Sequence, residues 1–211
     1  MKNSKNIYPV IGVSPGNSYF KYDVIKKLLQ KVVEKYGKVI IFVADVPAIF
    51  TYLAMGYSEN VARRDKAIPK GNNLKNKFRK AAEENGYSTE QVKIINWKDD
   101  IEGNSKYKEE YNKIISLYKN NPVFQEEADS TTRLVLSNII KSESKLKEAI
   151  KIAVNYLLSE LAFMEFICKY LGINKAIYIY HKHWKVYEDY IAGKFDDNPK
   201  VHLGFEIIDV D

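Results

Sequence analysis

The sequence predicts an α/β fold in which a mostly parallel sheet is flanked by helices, and three observations predict it. First, the apolar run Val10–Val13 breaks into a Gly/Pro/Asn/Ser turn, then passes through helical spacing over Tyr22–Tyr36 into the β-branched run Val39–Ala44. Strand, helix and strand in that order give a right-handed crossover between parallel strands. Second, short apolar runs recur at Val92–Trp97, Ile177–Tyr180 and Val201–Ile208, separated by longer stretches of helical period. Third, 211 residues that are 45% hydrophobic, with a mean hydropathy of −0.36, suit one globular domain with a substantial core, and residues 1–211 are read as such.

The elements follow in order. In Tyr22–Tyr36 the residues Val24, Ile25, Leu28, Leu29, Val32 and Val33 share one helix face, and Gly37 ends the helix. Val39–Ala44 suits a strand covered on both sides. Residues 47–57 read as a short apolar helix or loop at the carboxyl edge of the sheet. The basic segment after them carries Pro69, Gly71, Asn72 and Asn73, which predict two helical pieces with Leu74–Glu84 the firmer. Residues 99–121 read as an exposed helix broken at Asn120-Asn121-Pro122. Val123–Lys141 and Ser144–Tyr170 have helical apolar spacing with a junction at Ser142–Ser144.

Composition narrows the function classes. No apolar run approaches the roughly 20 residues of a membrane span, and the first ten residues have neither an apolar core of signal-peptide length nor a small-residue cleavage site. The single Cys168 permits no intramolecular disulfide and lies in the apolar stretch FMEFICKYLG, so it reads as a core residue; a cytoplasmic location is expected. The net charge of +6 is concentrated. Arg63, Arg64, Lys66, Lys70, Lys75, Lys77, Arg79 and Lys80 face only Asp65 within residues 61–80, a local +7 that leaves the remainder at −1. Such a patch is either the footprint of a phosphate backbone or a solvated helix face.

Ser14 stands in the first loop between Gly12 and Gly16, the G-x-S-x-G spacing in which small residues let the backbone turn and expose a Ser hydroxyl. A helix N-terminus behind it would offer unpaired N–H groups. By itself the pattern more often describes a plain strand-to-helix turn. Asp45, at the exit of the second strand, is either a contact for a substrate amine or a turn residue.

The longer string GVSPGNSYF resembles the N-terminal signature of the cyclodipeptide synthases. These are Rossmann-like enzymes, similar to class Ic aminoacyl-tRNA synthetase catalytic domains, that join aminoacyl groups from two charged tRNAs into a diketopiperazine. Three further elements match in family order. Tyr156 and Glu160 lie four apart on the long helix, a spacing that puts both on one face. The resemblance implies that they grip the amino group of the bound aminoacyl moiety. Tyr180, at the end of a strand, matches the Tyr that relays protons during ring closure, with His181 beside it. Asn17 fits the branch of the family with Asn there, and its amide would support an oxyanion or orient Tyr180. Two positions depart from the pattern: Tyr8 stands where a His is usual, and Ala162 where a Pro is usual.

The resemblance implies a Ser14-linked aminoacyl-enzyme, two aminoacyl-tRNA partners, and no cofactor or metal. The tRNA would be held by the basic residues of segment 61–80. Val10, Gly12 and Val43 are expected near the first acyl pocket, where their apolar character favours a hydrophobic side chain. Two alternatives stand beside this reading: a serine hydrolase or acyltransferase using the G-x-S-x-G loop with one of three His residues, and a non-enzymatic RNA-binding domain. Oligomeric state is not legible.

Overall fold

Strand β1 (Ile7–Val13) starts three residues before its fully apolar stretch, because Ile7, Tyr8 and Pro9 pair with Lys175, Ala176 and Ile177. The computed structural model describes residues 7–210, so residues 1–6 of the stretch read as lacking a signal peptide lie outside the described residues. After β1 come α1 (Tyr22–Tyr36), β2 (Val39–Val43), α2 (Ala48–Ala54), a π-helical stretch (Val61–Ala67) and α3 (Ile68–Glu84). Then follow β3 (Val92–Asn96), a second π-helical stretch (Trp97–Ile101), α4 (Ser105–Asn120), α5 (Pro122–Leu136) and α6 (Glu143–Leu171). The chain ends with β4 (Lys175–Tyr180), α7 (Lys185–Ile191) and β5 (Leu203–Ile207).

The five strands among the described residues are all parallel, in the order β3-β2-β1-β4-β5. The chain moves outward from β1 to β3 and returns to β4 on the other side of β1, which makes this the Rossmann-like arrangement predicted. The β1/β4 boundary is the switch point, where the carboxyl ends of an open α/β sheet leave a crevice. Among the described residues no helix is long and apolar enough to cross a membrane.

Strand pleat sorts the core into two layers, since alternate residues face opposite sides. Val10, Ile40, Phe42 and Ile95 pack toward α6 with Leu157, Leu161 and Phe163. Ile11, Val13, Ile41 and Val43 pack the other way, against α1 and Phe78 of α3. Phe42 and Phe163 stack at 3.8 Å between ring centroids. Trp97, expected as the last residue of β3, instead opens the π-helical stretch, where its ring tucks against Phe42 at 5.0 Å. The helix expected over 99–121 forms only from Ser105, and it buries Tyr107, Glu110 and Ile114 rather than lying wholly exposed. Helix α5 stops at Leu136, short of Lys141.

The basic segment runs as one rod rather than two pieces. Pro69 falls where the π-helical stretch passes directly into α3, and the helical run continues through it without a break. Gly71 sits inside the helix because a Cβ there would collide with the Asp45 side chain. That close approach lets Lys75 form a buried ion pair with Asp45, while its ammonium also donates to Asn96 Oδ1 at 3.1 Å. With both side chains buried, removing one partner strands a charge. Lys75→Met is expected to lower the unfolding free energy by about 3–5 kcal/mol, measured by denaturant titration. A loss under about 1 kcal/mol, the range of an exposed pair, would count against the buried lock.

Candidate active site

The loop after β1 is a turn whose chemistry is written in its residues. Asn17 N–H donates to Ser14 O at 3.1 Å, with Pro15 and Gly16 as the central pair and Gly16 at φ +90°. Pro then Gly in those positions is the type II preference. Helix α1 begins only at Tyr22, beyond a second turn in which Phe20 N–H approaches Asn17 O at 3.4 Å. The helix N-terminus expected directly behind Ser14 is therefore displaced along the chain.

Ser14 continues the β1 face that looks at α6. There the Tyr156 hydroxyl donates to Ser14 Oγ at 2.9 Å. One turn further along α6, Glu160 lines the same cleft and accepts a hydrogen bond from the Tyr187 hydroxyl of α7. From the neighbouring strand, Tyr180 places its hydroxyl 3.1 Å from Asn17 Nδ2, which donates to it, while Asn17 Oδ1 accepts from Tyr19 N–H at 3.0 Å. The Asn17 amide is thus in direct contact with the Tyr180 hydroxyl. Four residues that are remote in sequence, Ser14, Asn17, Tyr156 and Tyr180, thus meet at the switch point with Glu160.

Electrostatics follow from enclosure. Burial pushes the Glu160 carboxyl up to about 7, although hydrogen bonds from Tyr187 and Tyr156 pull it the other way. Burial, and then the Glu160 charge, raise Tyr180 to about 12, against hydrogen bonds from Ser14, Asn17 and Trp184. Tyr156 and Tyr187 are driven well above the ordinary phenol range by the same two causes. The phenols therefore hold their protons, and the carboxyl is the group poised to exchange one near neutrality.

The cleft has a volume of about 920 Å³ and is lined by Gly12, Phe42, Leu157, Met164 and Tyr178 in its depth, with Tyr52, Met55, Lys70, Leu134 and Ile139 farther along. Gly12 is on this lining. Val10 and Val43 are not: both are fully buried, Val10 two residues below Gly12 in the α6 layer and Val43 in the opposite layer. Asp45 is also removed from the substrate set by its ion pair with Lys75. His181 lies outside the cleft lining, with its ring stacked on Tyr19 at 4.0 Å.

The basic residues part company. Lys75 is buried and unable to meet a tRNA. Arg63 pairs with Glu102, Arg64 with Asp65 at 2.8 Å, and Arg79 donates to Asn76 at 2.9 Å. Lys77 is half-buried, and Lys80 is exposed with its ammonium 3.9 Å from Glu84. Lys66 and Lys70 lie over the rings of Tyr57 and Tyr52, each 5.1 Å from the centroid.

Tyr187 was invisible in the sequence, because the seven residues of α7 are too few to show a period. Its only signal would have been the aromatic and charged run WKVYEDY immediately after Tyr180. None of the three His residues hydrogen-bonds Ser14: His183 faces Glu188 at 3.0 Å and His202 faces Glu165 at 2.9 Å. A Ser-His pair, which the hydrolase alternative requires, is not built here.

Comparison with known proteins agrees with this architecture. No curated protein matches the sequence. Among solved structures, the chain superposes on AlbC, a cyclodipeptide synthase from Streptomyces noursei, with TM-score 0.75 and 16% identity over 97% of this chain and 96% of that one. It superposes on a cyclodipeptide synthase from Bacillus thermoamylovorans with TM-score 0.77 and 22% identity over 95% and 87%. A Mycobacterium tuberculosis protein, described as demonstrating that cyclodipeptide synthetases are related to type I tRNA synthetases, gives TM-score 0.80 and 21% identity over 99% and 87%. At these identities the likeness is one of fold. The sequence model of the family described as cyclodipeptide synthase matches residues 4–209, nearly the whole chain, and this chain belongs to that family.

Proposed function

We propose that this enzyme makes its cyclodipeptide by a ping-pong transfer from two aminoacyl-tRNAs through an ester on Ser14, with the 211 residues acting as one catalytic domain. The observation that carries the reading is the Tyr156–Ser14 hydrogen bond of 2.9 Å, with Glu160 one helical turn away on the same wall.

In the first half, Ser14 Oγ attacks the ester carbonyl of one aminoacyl-tRNA. The bond to the ribose oxygen breaks, the Ser proton goes to that oxygen, and the tRNA leaves. The α-ammonium of the acyl-enzyme lies against Tyr156 and the Glu160 carboxylate, which takes its proton. The freed amine attacks the ester carbonyl of the second aminoacyl-tRNA, whose ribose oxygen leaves with a proton. A dipeptide now hangs from Ser14. Its terminal amine attacks the Ser14 ester, the ring closes, and Tyr180 relays the amine proton back to Ser14 Oγ. The apolar depth of the cleft, from Phe42 to Met164, favours a hydrophobic first side chain. The ester bond already carries the activation energy, so this route draws on neither ATP nor metal.

Mixing the protein with a single aminoacyl-tRNA species and quenching in acid is expected to add one aminoacyl residue to the intact mass, on the peptide containing Ser14. Product formation with no such adduct under single-turnover conditions would overturn the covalent route.

A further inference from the structure

Beyond the catalytic groups, the mouth of the cleft carries a second constellation. Helix α2 ends in a turn in which Gly56 takes φ +90° and Tyr57 N–H returns to Tyr52 O at 3.1 Å. This fixes Tyr57 beside Tyr52, with ring centroids 6.1 Å apart and planes at 69°. Tyr52 is buried in the cleft wall, whereas Tyr57 is 38% exposed. Each ring carries a lysine from the basic rod: Lys70 above Tyr52 and Lys66 above Tyr57.

The strip is anchored at the nucleophile loop. A Cβ built on Gly16 would lie 3.7 Å from the Tyr52 hydroxyl and 3.8 Å from Lys70 Nζ. One end of the strip is therefore within two residues of Ser14, and the other is an open aromatic ring. The charges on it are also uncommitted. Arg63, Arg64 and Lys75 in the same rod are matched to carboxylates, whereas Lys66 and Lys70 contact aromatic faces, an interaction weak enough at a surface for the ammonium to turn toward a phosphate. Aromatic faces beside flexible cations are the chemistry that holds unpaired nucleotides, because every base has a face to stack and every link a phosphate.

We propose that Tyr57, Lys66 and Lys70 bind the unpaired 3′ end of the substrate RNA as it enters the cleft, with Tyr57 stacking on a nucleobase and the two lysines contacting phosphates. The proposal rests on the aminoacyl-tRNA reading above, to which it adds a path. The ring of Tyr52 serves as the inner wall that supports Lys70.

The test compares deacylated tRNA with the same tRNA trimmed of its unpaired 3′ nucleotides, by filter binding to wild type, Tyr57→Leu, Tyr57→Phe and Lys66→Gln, each checked for folding by circular dichroism. Wild type is expected to bind the intact tRNA about 10-fold or more tightly than the trimmed one, the effect of one stacked base. Tyr57→Leu is expected to lose the stacking share of that preference, about 10-fold, and to keep only what the two lysine–phosphate contacts supply, Tyr57→Phe to behave as wild type, and Lys66→Gln to reduce the salt dependence by about one phosphate contact. If wild type binds intact and trimmed tRNA equally, or folded Tyr57→Leu discriminates as wild type does, the strip is overturned while the tRNA reading stands. If wild type binds neither, the tRNA reading itself falls.

Discussion

Ser14→Ala is expected to reduce cyclodipeptide formation at least about 1000-fold, the scale on which removal of a nucleophile acts. No other group is placed to substitute. The nearest hydroxyls, Tyr156 and Tyr180, are phenols that enclosure and the Glu160 charge keep protonated. The loop does not need the hydroxyl for its shape, since it is held by the Asn17 N–H to Ser14 O bond and by the Pro15-Gly16 turn. The variant should therefore fold and bind RNA as wild type does. Mass spectrometry of reactions with charged tRNA reads the product directly. More than about one-tenth of the wild-type yield from the variant would remove Ser14 from the chemistry, and a module that only binds RNA would show no product from either protein.

What could be read in the sequence was whatever had a period or a local spacing. The crossover β1-α1-β2 is written in β-branched runs and one amphipathic stripe. The meeting of Tyr156 and Glu160 on one wall follows from their separation of four on a helix. What could not be read depends on which side of a strand a residue faces, or on partners far along the chain. Val43 and Gly12 lie in neighbouring strands at the same edge, yet the pleat sends Val43 into the α1/α3 layer. Asp45 has the chemistry to meet an amine and does so with Lys75, thirty positions away. The basic run looked uniform by composition, but packing divides it into a buried lysine, cations matched to carboxylates, and cations at the mouth of the cleft. Pro69 and Gly71 signalled a break because propensity is a local quantity. One stands where a π-helical stretch passes into α3 without a break, and the other makes room for Asp45.

Glu160→Gln is expected to lower kcat/KM about 100-fold or more at pH 8, the scale on which a positioned proton acceptor acts, and to abolish a pH dependence that wild type shows. In the free enzyme, burial raises this carboxyl to about 7 despite the Tyr187 and Tyr156 hydrogen bonds. Only the ionised form can hold an ammonium and take its proton, so wild-type kcat/KM should climb about tenfold per pH unit below 7 and level off above it. Gln cannot ionise, so the variant's profile should be flat through that interval. Tyr187→Phe gives the complementary sign: loss of the hydrogen bond that favours the carboxylate should move the limb to higher pH, so that activity lost at pH 7 partly returns at pH 8. Stability runs the opposite way. A carboxyl raised above its unfolded value opposes folding once it must ionise, so its burden grows as pH rises from the ordinary carboxylate range through about 7. Glu160→Gln, relieved of that burden, should melt at or above the wild-type temperature at pH 8, which separates a lost proton acceptor from a damaged fold. A wild-type profile without a limb near 7, or a Gln variant that keeps one, would assign the proton transfer to another group.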